Sequence, residues 1–131
     1  MRPIYLLITT IVIALSAATS AMAQPPHRHH RNPCATHEQM HMVVQTLQEQ
    51  SFDDKRLDIA KLCVTIGQFC TDDLVRMAST FNFDDNRLKF LRYAYPYCTD
   101  PERYPAVREC FEFRSNYDIL MEEVYSAPHR R

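Results

Sequence analysis

One glycine, Gly67, stands in a chain of 131 residues, and that scarcity closes off more folds than any other feature. Phosphate-binding loops, dinucleotide-binding glycine motifs and nucleophile elbows each need two or more glycines at fixed spacing, so none can be written here. Tight β-hairpins also lean on glycine, because their primed turns require positive φ. Hydrophobic residues make up 46% and charged ones 24%, which is an ordinary globular balance rather than a disordered one. A helical domain is what remains.

The chain opens on Met1-Arg2, an apolar run from Ile4 to Ala18, and Ala21-Met22-Ala23. This pattern predicts a secretory signal peptide over 1–23, cut after Ala23. The apolar run is shorter than the roughly 20 residues a membrane span needs, so the expected mature form is secreted or periplasmic, with no membrane span. Residues 24–33, QPPHRHHRNP, have three prolines and no aliphatic side chain. They cannot bury enough surface to offset ordering and are expected to form a flexible tail. A single helical domain is expected over 34–126, followed by a basic C-terminal tail at 127–131.

That expected domain carries ten basic and sixteen acidic residues, a formal charge of −6. Nucleic acid, whose phosphates demand a cationic surface, is therefore an unsuitable partner.

Within the domain the chain repeats itself. Phe52-Asp53-Asp54-Lys55-Arg56-Leu57 returns 31 residues later as Phe83-Asp84-Asp85-Asn86-Arg87-Leu88, and Cys70-Thr71-Asp72 is echoed by Cys98-Thr99-Asp100. A period of this size points to stacked supersecondary units. Asp53 and Asp84 suit helix N-caps, with Phe52/Leu57 and Phe83/Leu88 as hydrophobic staples. Thr71 and Ser115 read as further caps and Gly67 as a terminator. The expected helices are 35–50, 53–66, 71–80, 84–95, 105–112 and 115–124, with Pro96, Pro101 and Pro105 fencing the fourth from the fifth. The architecture is an all-α array of about three antiparallel helix hairpins.

Five cysteines, Cys34, Cys63, Cys70, Cys98 and Cys110, lie beyond the leader. In an oxidising compartment they read as disulfide partners. In an antiparallel hairpin the start of one helix lies beside the end of the next, which predicts Cys34–Cys63 and Cys70–Cys98 with Cys110 unpaired. A local Cys63–Cys70 bridge is the rival.

The run FDDKRLDIAKL, then CTDDLVRMASTFNFDDNRLKFLRYAYPYCTDPERYPAVRECFEF and SNYDILMEEV, resembles a family known as domain of unknown function 4476. Tyr93, Tyr95, Tyr97, Asp100, Tyr104 and the Phe111/Phe113 pair carry the likeness along with the repeated motif, and Arg103 departs from an expected asparagine. The resemblance covers about residues 38–124. It implies a secreted or envelope helical domain and brings no activity or catalytic residue with it.

Three sets of residues invite a function. His37-Glu38-Gln39-Met40-His41 fits the zinc-hydrolase string H-E-x-x-H, with Glu38 as base. A third ligand would have to be a distant carboxylate such as Glu102 or Glu109. His27, His29, His30, His37 and His41 together form a candidate site for zinc or copper, and no other cofactor is implied. Tyr97 and Tyr104, beside proline-bounded backbone, are candidate ligand contacts. The main expectation is a noncatalytic interaction module for an envelope protein, peptide or glycan. A histidine-rich metal binder is the alternative, and a zinc hydrolase a further one.

Overall fold

The computed structural model describes residues 34–126; the expected leader, the histidine-rich segment and residues 127–131 lie outside the described residues. Among the described residues five α-helices follow in order: α1 (His37–Gln48), α2 (Asp53–Ile66), α3 (Thr71–Ala78), α4 (Asp84–Ala94) and α5 (Arg114–Ser126). Two 3₁₀ segments, Tyr95–Tyr97 and Pro101–Cys110, stand between α4 and α5. The fold is all-α: no strand forms among the described residues, and the one extended pairing is a parallel bridge between Phe69 and Cys98. No helix among them is long and apolar enough to cross a membrane.

Packing arranges these elements in two rows. α1 lies against α3, and α3 against the long 3₁₀ segment; α2 lies against α4, and α4 against α5. Across the rows α1 meets α2, α3 meets α4, and the long 3₁₀ segment meets α5. The core fills the space between the rows. Met40, Leu47, Leu74, Met77, Tyr104 and Val107 face it from one row, and Ala60, Val64, Phe90, Leu91, Leu120 and Val124 from the other. The helical spacing of these residues, such as Ala60/Val64 and Leu120/Val124, is what puts each set on one face.

The expected helix at 105–112 is instead a ten-residue 3₁₀ segment beginning at Pro101 with Pro105 inside it. Proline has no N–H to give and its ring crowds the preceding turn, so an α-helix cannot run through it. The Tyr104 hydroxyl donates to the Leu91 carbonyl of α4 and pins the segment from within. Gly67 does end α2, but at φ −105°, not in the left-handed region. Its lack of a side chain serves packing: a Cβ there would sit 2.6 Å from the Phe69 ring.

The aspartates of the repeated motif are not N-caps. Phe52 and Phe83 occupy the cap positions, with no side-chain cap bond, and Asp53 and Asp84 are the first helical residues. Each aspartate reaches forward along its row. Asp53 accepts from the Asn82 backbone N–H at 3.1 Å and the Asn86 amide at 3.0 Å. Asp84 accepts from the Phe113 backbone N–H at 2.8 Å, that of Glu112 at 3.1 Å and the Asn116 amide at 3.2 Å. The motif arginines complete the clasp. Arg56 bonds Asp53 at 2.6 Å and the Leu47 carbonyl at 2.8 Å, and Arg87 bonds Asp84 at 3.0 Å and the Phe81 carbonyl at 2.8 Å. Each arginine thus donates to a carbonyl at or just beyond the end of a helix of the other row, where the intrahelical bonding runs out.

The disulfide also departs from expectation. Cys34 is bonded to Cys70, with Cα atoms 4.6 Å apart, and neither Cys34–Cys63 nor Cys70–Cys98 forms. Cys63, Cys98 and Cys110 are free thiols. The hairpin argument paired the start of one element with the end of the next. In the fold, the residues that precede α1, α3 and the long 3₁₀ segment stand beside one another, so equivalent cysteines meet across neighbouring units. Cys98 occupies the third place in that line. The Thr99 N–H donates to the Phe69 carbonyl at 3.1 Å, and the Cys98 Sγ lies 3.4 Å from the Thr71 Oγ1.

Candidate functional site

Two surfaces hold side chains that the fold leaves unused. The first is a line of three phenylalanines. Phe52, Phe83 and Phe113 are 74%, 67% and 59% exposed. Each immediately precedes a helix of the α2–α4–α5 row, and the aspartate clasps hold these helix starts together. Asp54, Asp85 and Glu112 beside them are exposed. The expected staples do not form, because rings this exposed are not buried on Leu57 or Leu88. The motif showed where the phenylalanines fall, but nothing in it distinguished a staple from a surface ring.

Burial of Asp84 pushes its carboxyl pKa up, but the N–H groups of Phe113 and Glu112, the Asn116 amide and Arg87 outweigh that and hold it below the usual aspartate value. The carboxylate is a fixed anchor under the phenylalanine line, not a proton-transfer group.

The second surface is a cleft of about 670 Å³ between α1 and α3, reaching Glu109 on the long 3₁₀ segment. Met40, Val44 and Val75 give it an apolar floor, and His37, His41, Arg76 and Glu109 supply the polar groups. His37 and His41 are one helical turn apart on α1 and exposed, as is Glu38. Glu109, one of the two carboxylates the sequence offered as a third ligand, lines the same cleft, but its ligand atoms and those of the two histidines are not gathered around one point. His27, His29 and His30 lie outside the described residues. Arg76 was missed by sequence reasoning, and no local motif marks it.

The tyrosine candidates separate. Tyr97 is 44% exposed and stacks on Tyr93 with ring centroids 5.6 Å apart. Tyr104 is fully buried, edge-on to Tyr95. It cannot meet a surface ligand, and that expectation is withdrawn: its large ring fills the core, and burial holds its hydroxyl protonated well beyond the ordinary range.

None of the free thiols is activated. Burial raises Cys63 and Cys98 above the usual thiol value, and it pushes Cys110 up to about 12. A thiol must ionise to attack, so these cysteines act as small apolar side chains at neutral pH. Among the described residues one group of potential ligand atoms lies close together, at Cys34, Cys70 and Asp73. The disulfide occupies both sulfurs, and the Asp73 carboxylate accepts the Ala35 N–H at 2.7 Å and the Cys70 N–H at 3.1 Å.

A family model described as Domain of unknown function (DUF4476) matches residues 35–123. No curated protein matches the chain, and no solved structure does.

Proposed function

Since the chain belongs to the DUF4476 family, whose description assigns no activity, we propose from its surface that it is a noncatalytic interaction module acting outside the cytoplasm. The compartment reading is supported by the leader pattern at 1–23 and by a disulfide, a bond that persists in oxidising surroundings.

The observation that carries the proposal is the exposed line of Phe52, Phe83 and Phe113. Large apolar side chains at equivalent places on successive units give up burial that the core could have used, and aligned apolar exposure marks a contact surface. Three apolar rings with no polar tip among them are best matched by a protein segment with apolar side chains of its own. The neighbouring Asp54, Asp85 and Glu112 favour basic residues between those apolar ones, through long-range attraction that speeds encounter.

The test is site-directed photocrosslinking. A photoreactive phenylalanine analogue at position 83 should give a discrete adduct in an envelope extract, lost when Phe52 and Phe113 are changed to serine. The same analogue at Glu122 serves as the control. Adducts that are absent, or identical from both positions, would overturn the reading.

A further inference from the structure

We infer that the line of Phe52, Phe83 and Phe113 takes the proline-rich, basic segment 24–33 of a second copy of this chain. The inference rests on the reading of that line as a contact surface and names its occupant.

The first argument is chemical fit. The segment QPPHRHHRNP sets Pro25, Pro26 and Pro33 around Arg28 and Arg31, and it is the only stretch of the sequence with adjacent prolines. Proline-rich segments dock on aromatic surfaces at low entropic cost, because the ring fixes φ before contact. Charge agrees with this. The segment has two arginines, three histidines and no acidic residue, whereas residues 34–126 carry a formal charge of −6. Beside the rings stand the exposed Asp54, Asp85 and Glu112. Lys55 and Arg114 are exposed there too, but Arg114 lies 3.8 Å from Asp118, so the balance along the line is negative.

The second argument is reach, and it selects a second copy over the same chain. The segment joins the helical body at Cys34, ahead of α1. Phe52 lies beyond the far end of that helix, where Arg56 bonds the Leu47 carbonyl. With 12 residues α1 is about 18 Å long. The six residues from Arg28 to Cys34 span at most about 20 Å. Within one chain Arg28 would therefore reach the nearest ring only when fully drawn out, leaving Phe83 and Phe113 uncovered. A second copy is free of that tether and lays the whole segment along the line. Because line and segment are different surfaces, the contact is head-to-tail.

Photocrosslinking of the purified full chain tests this. Chains carrying a photoreactive phenylalanine analogue at position 83 are mixed with isotope-labelled chains that lack it. Mass spectrometry should find position 83 joined to residues 24–33 of a labelled chain. Arg28→Glu with Arg31→Glu in the labelled chain should cut the yield about fivefold or more, and high salt should lower it as well. These two arginines lie outside the helical body, so circular dichroism of the variant should match the parent. An adduct confined to one chain, or a yield indifferent to the two reversals, would overturn the inference. No adduct in the purified chain, beside a persisting one in envelope extract, would overturn this occupant and leave the contact surface standing. Absence of adducts from both preparations would remove both.

Discussion

The joint between the first and second helix pairs and the joint between the second and third share a geometry but differ in chemistry. In both, an aspartate takes up a backbone N–H at the start of the neighbouring element: Asp73 that of Ala35 at 2.7 Å, and Asp100 that of Thr71 at 2.6 Å. At the other end of the helices Asp53 and Asp84 do the same in the forward direction. The first joint adds a covalent bond, Cys34–Cys70. The second has Cys98 in the corresponding place as a free thiol, and depends on Asp84 and Asp100. One arrangement of backbone thus supports two kinds of fastening. The first is vulnerable to reductant and the second to acid.

Removing the covalent bond should produce the largest effect. The disulfide closes a sequence separation of 36 residues, for which loop-entropy reasoning gives about 4 kcal/mol. Cys34→Ser with Cys70→Ser should lower the urea midpoint accordingly, and added reductant should do the same to the unmodified chain but nothing further to the variant. A loss below about 1 kcal/mol would show that the first joint does not depend on sulfur.

Next comes Asp84→Ala, which strands the Phe113 and Glu112 N–H groups and leaves the half-buried Arg87 without its counter-charge. Breaking such a pair from one side costs about 3 kcal/mol. Asp53→Ala should cost less, about 1–2 kcal/mol, because it strands one backbone N–H, that of the exposed Asn82, where Asp84→Ala strands two; each arginine keeps its carbonyl partner in either variant. Equal losses would erase the distinction drawn between the two clasps.

Acid should act on the second joint. Burial raises the Asp84 and Asp100 pKa values, but hydrogen bonds to each carboxylate prevail and the net direction is downward from 3.8. The folded chain therefore binds fewer protons at these sites than the unfolded chain does near that value. Their contribution is complete above the ordinary aspartate range and is lost as pH falls through it and below. Denaturation midpoints measured from about pH 6 down to about pH 2.5 should decline more steeply for the unmodified chain than for Asp84→Asn. Parallel curves would remove Asp84 from the account.

The smallest effect belongs to an ion pair that both ends leave largely in solvent. Arg92 and Glu123 join α4 to α5 with side chains 48% and 41% exposed, so Glu123→Gln should cost under about 1 kcal/mol and less in high salt.

The helices could be read from the sequence because periodic apolar residues are a local signal, although the expected N-caps Asp53, Thr71, Asp84 and Ser115 all lie inside their helices. α2 begins and ends at the expected residues, and α4 ends one residue early. The long 3₁₀ segment could not be placed: Pro101 and Pro105 forbid an α-helix there without specifying what replaces it. The cysteine pairing failed for a different reason. The echo of Cys70-Thr71-Asp72 in Cys98-Thr99-Asp100 marks Cys70 and Cys98 as equivalent, yet the bond joins Cys70 to Cys34, which lies outside the echo. Which neighbour Cys70 takes is set by packing between units, which no local string records. The same gap hid the exposed phenylalanines and the approach of Glu109 to the cleft of His37 and His41.

The aspartate clasp also gives the three motif copies different roles. The middle copy both gives and receives: Asp84 reaches forward, while Asn86 answers Asp53. The first copy has Lys55 where the others have asparagine, and the last keeps Asn116 but carries Arg114 and Tyr117 in place of the aspartate and arginine. Head, link and tail are therefore spelled by three different versions of one short string. The start of α5 thus presents a cation where the two preceding helices present a carboxylate, so the grip is directional: it runs from each motif copy to the next and is not handed on by Arg114.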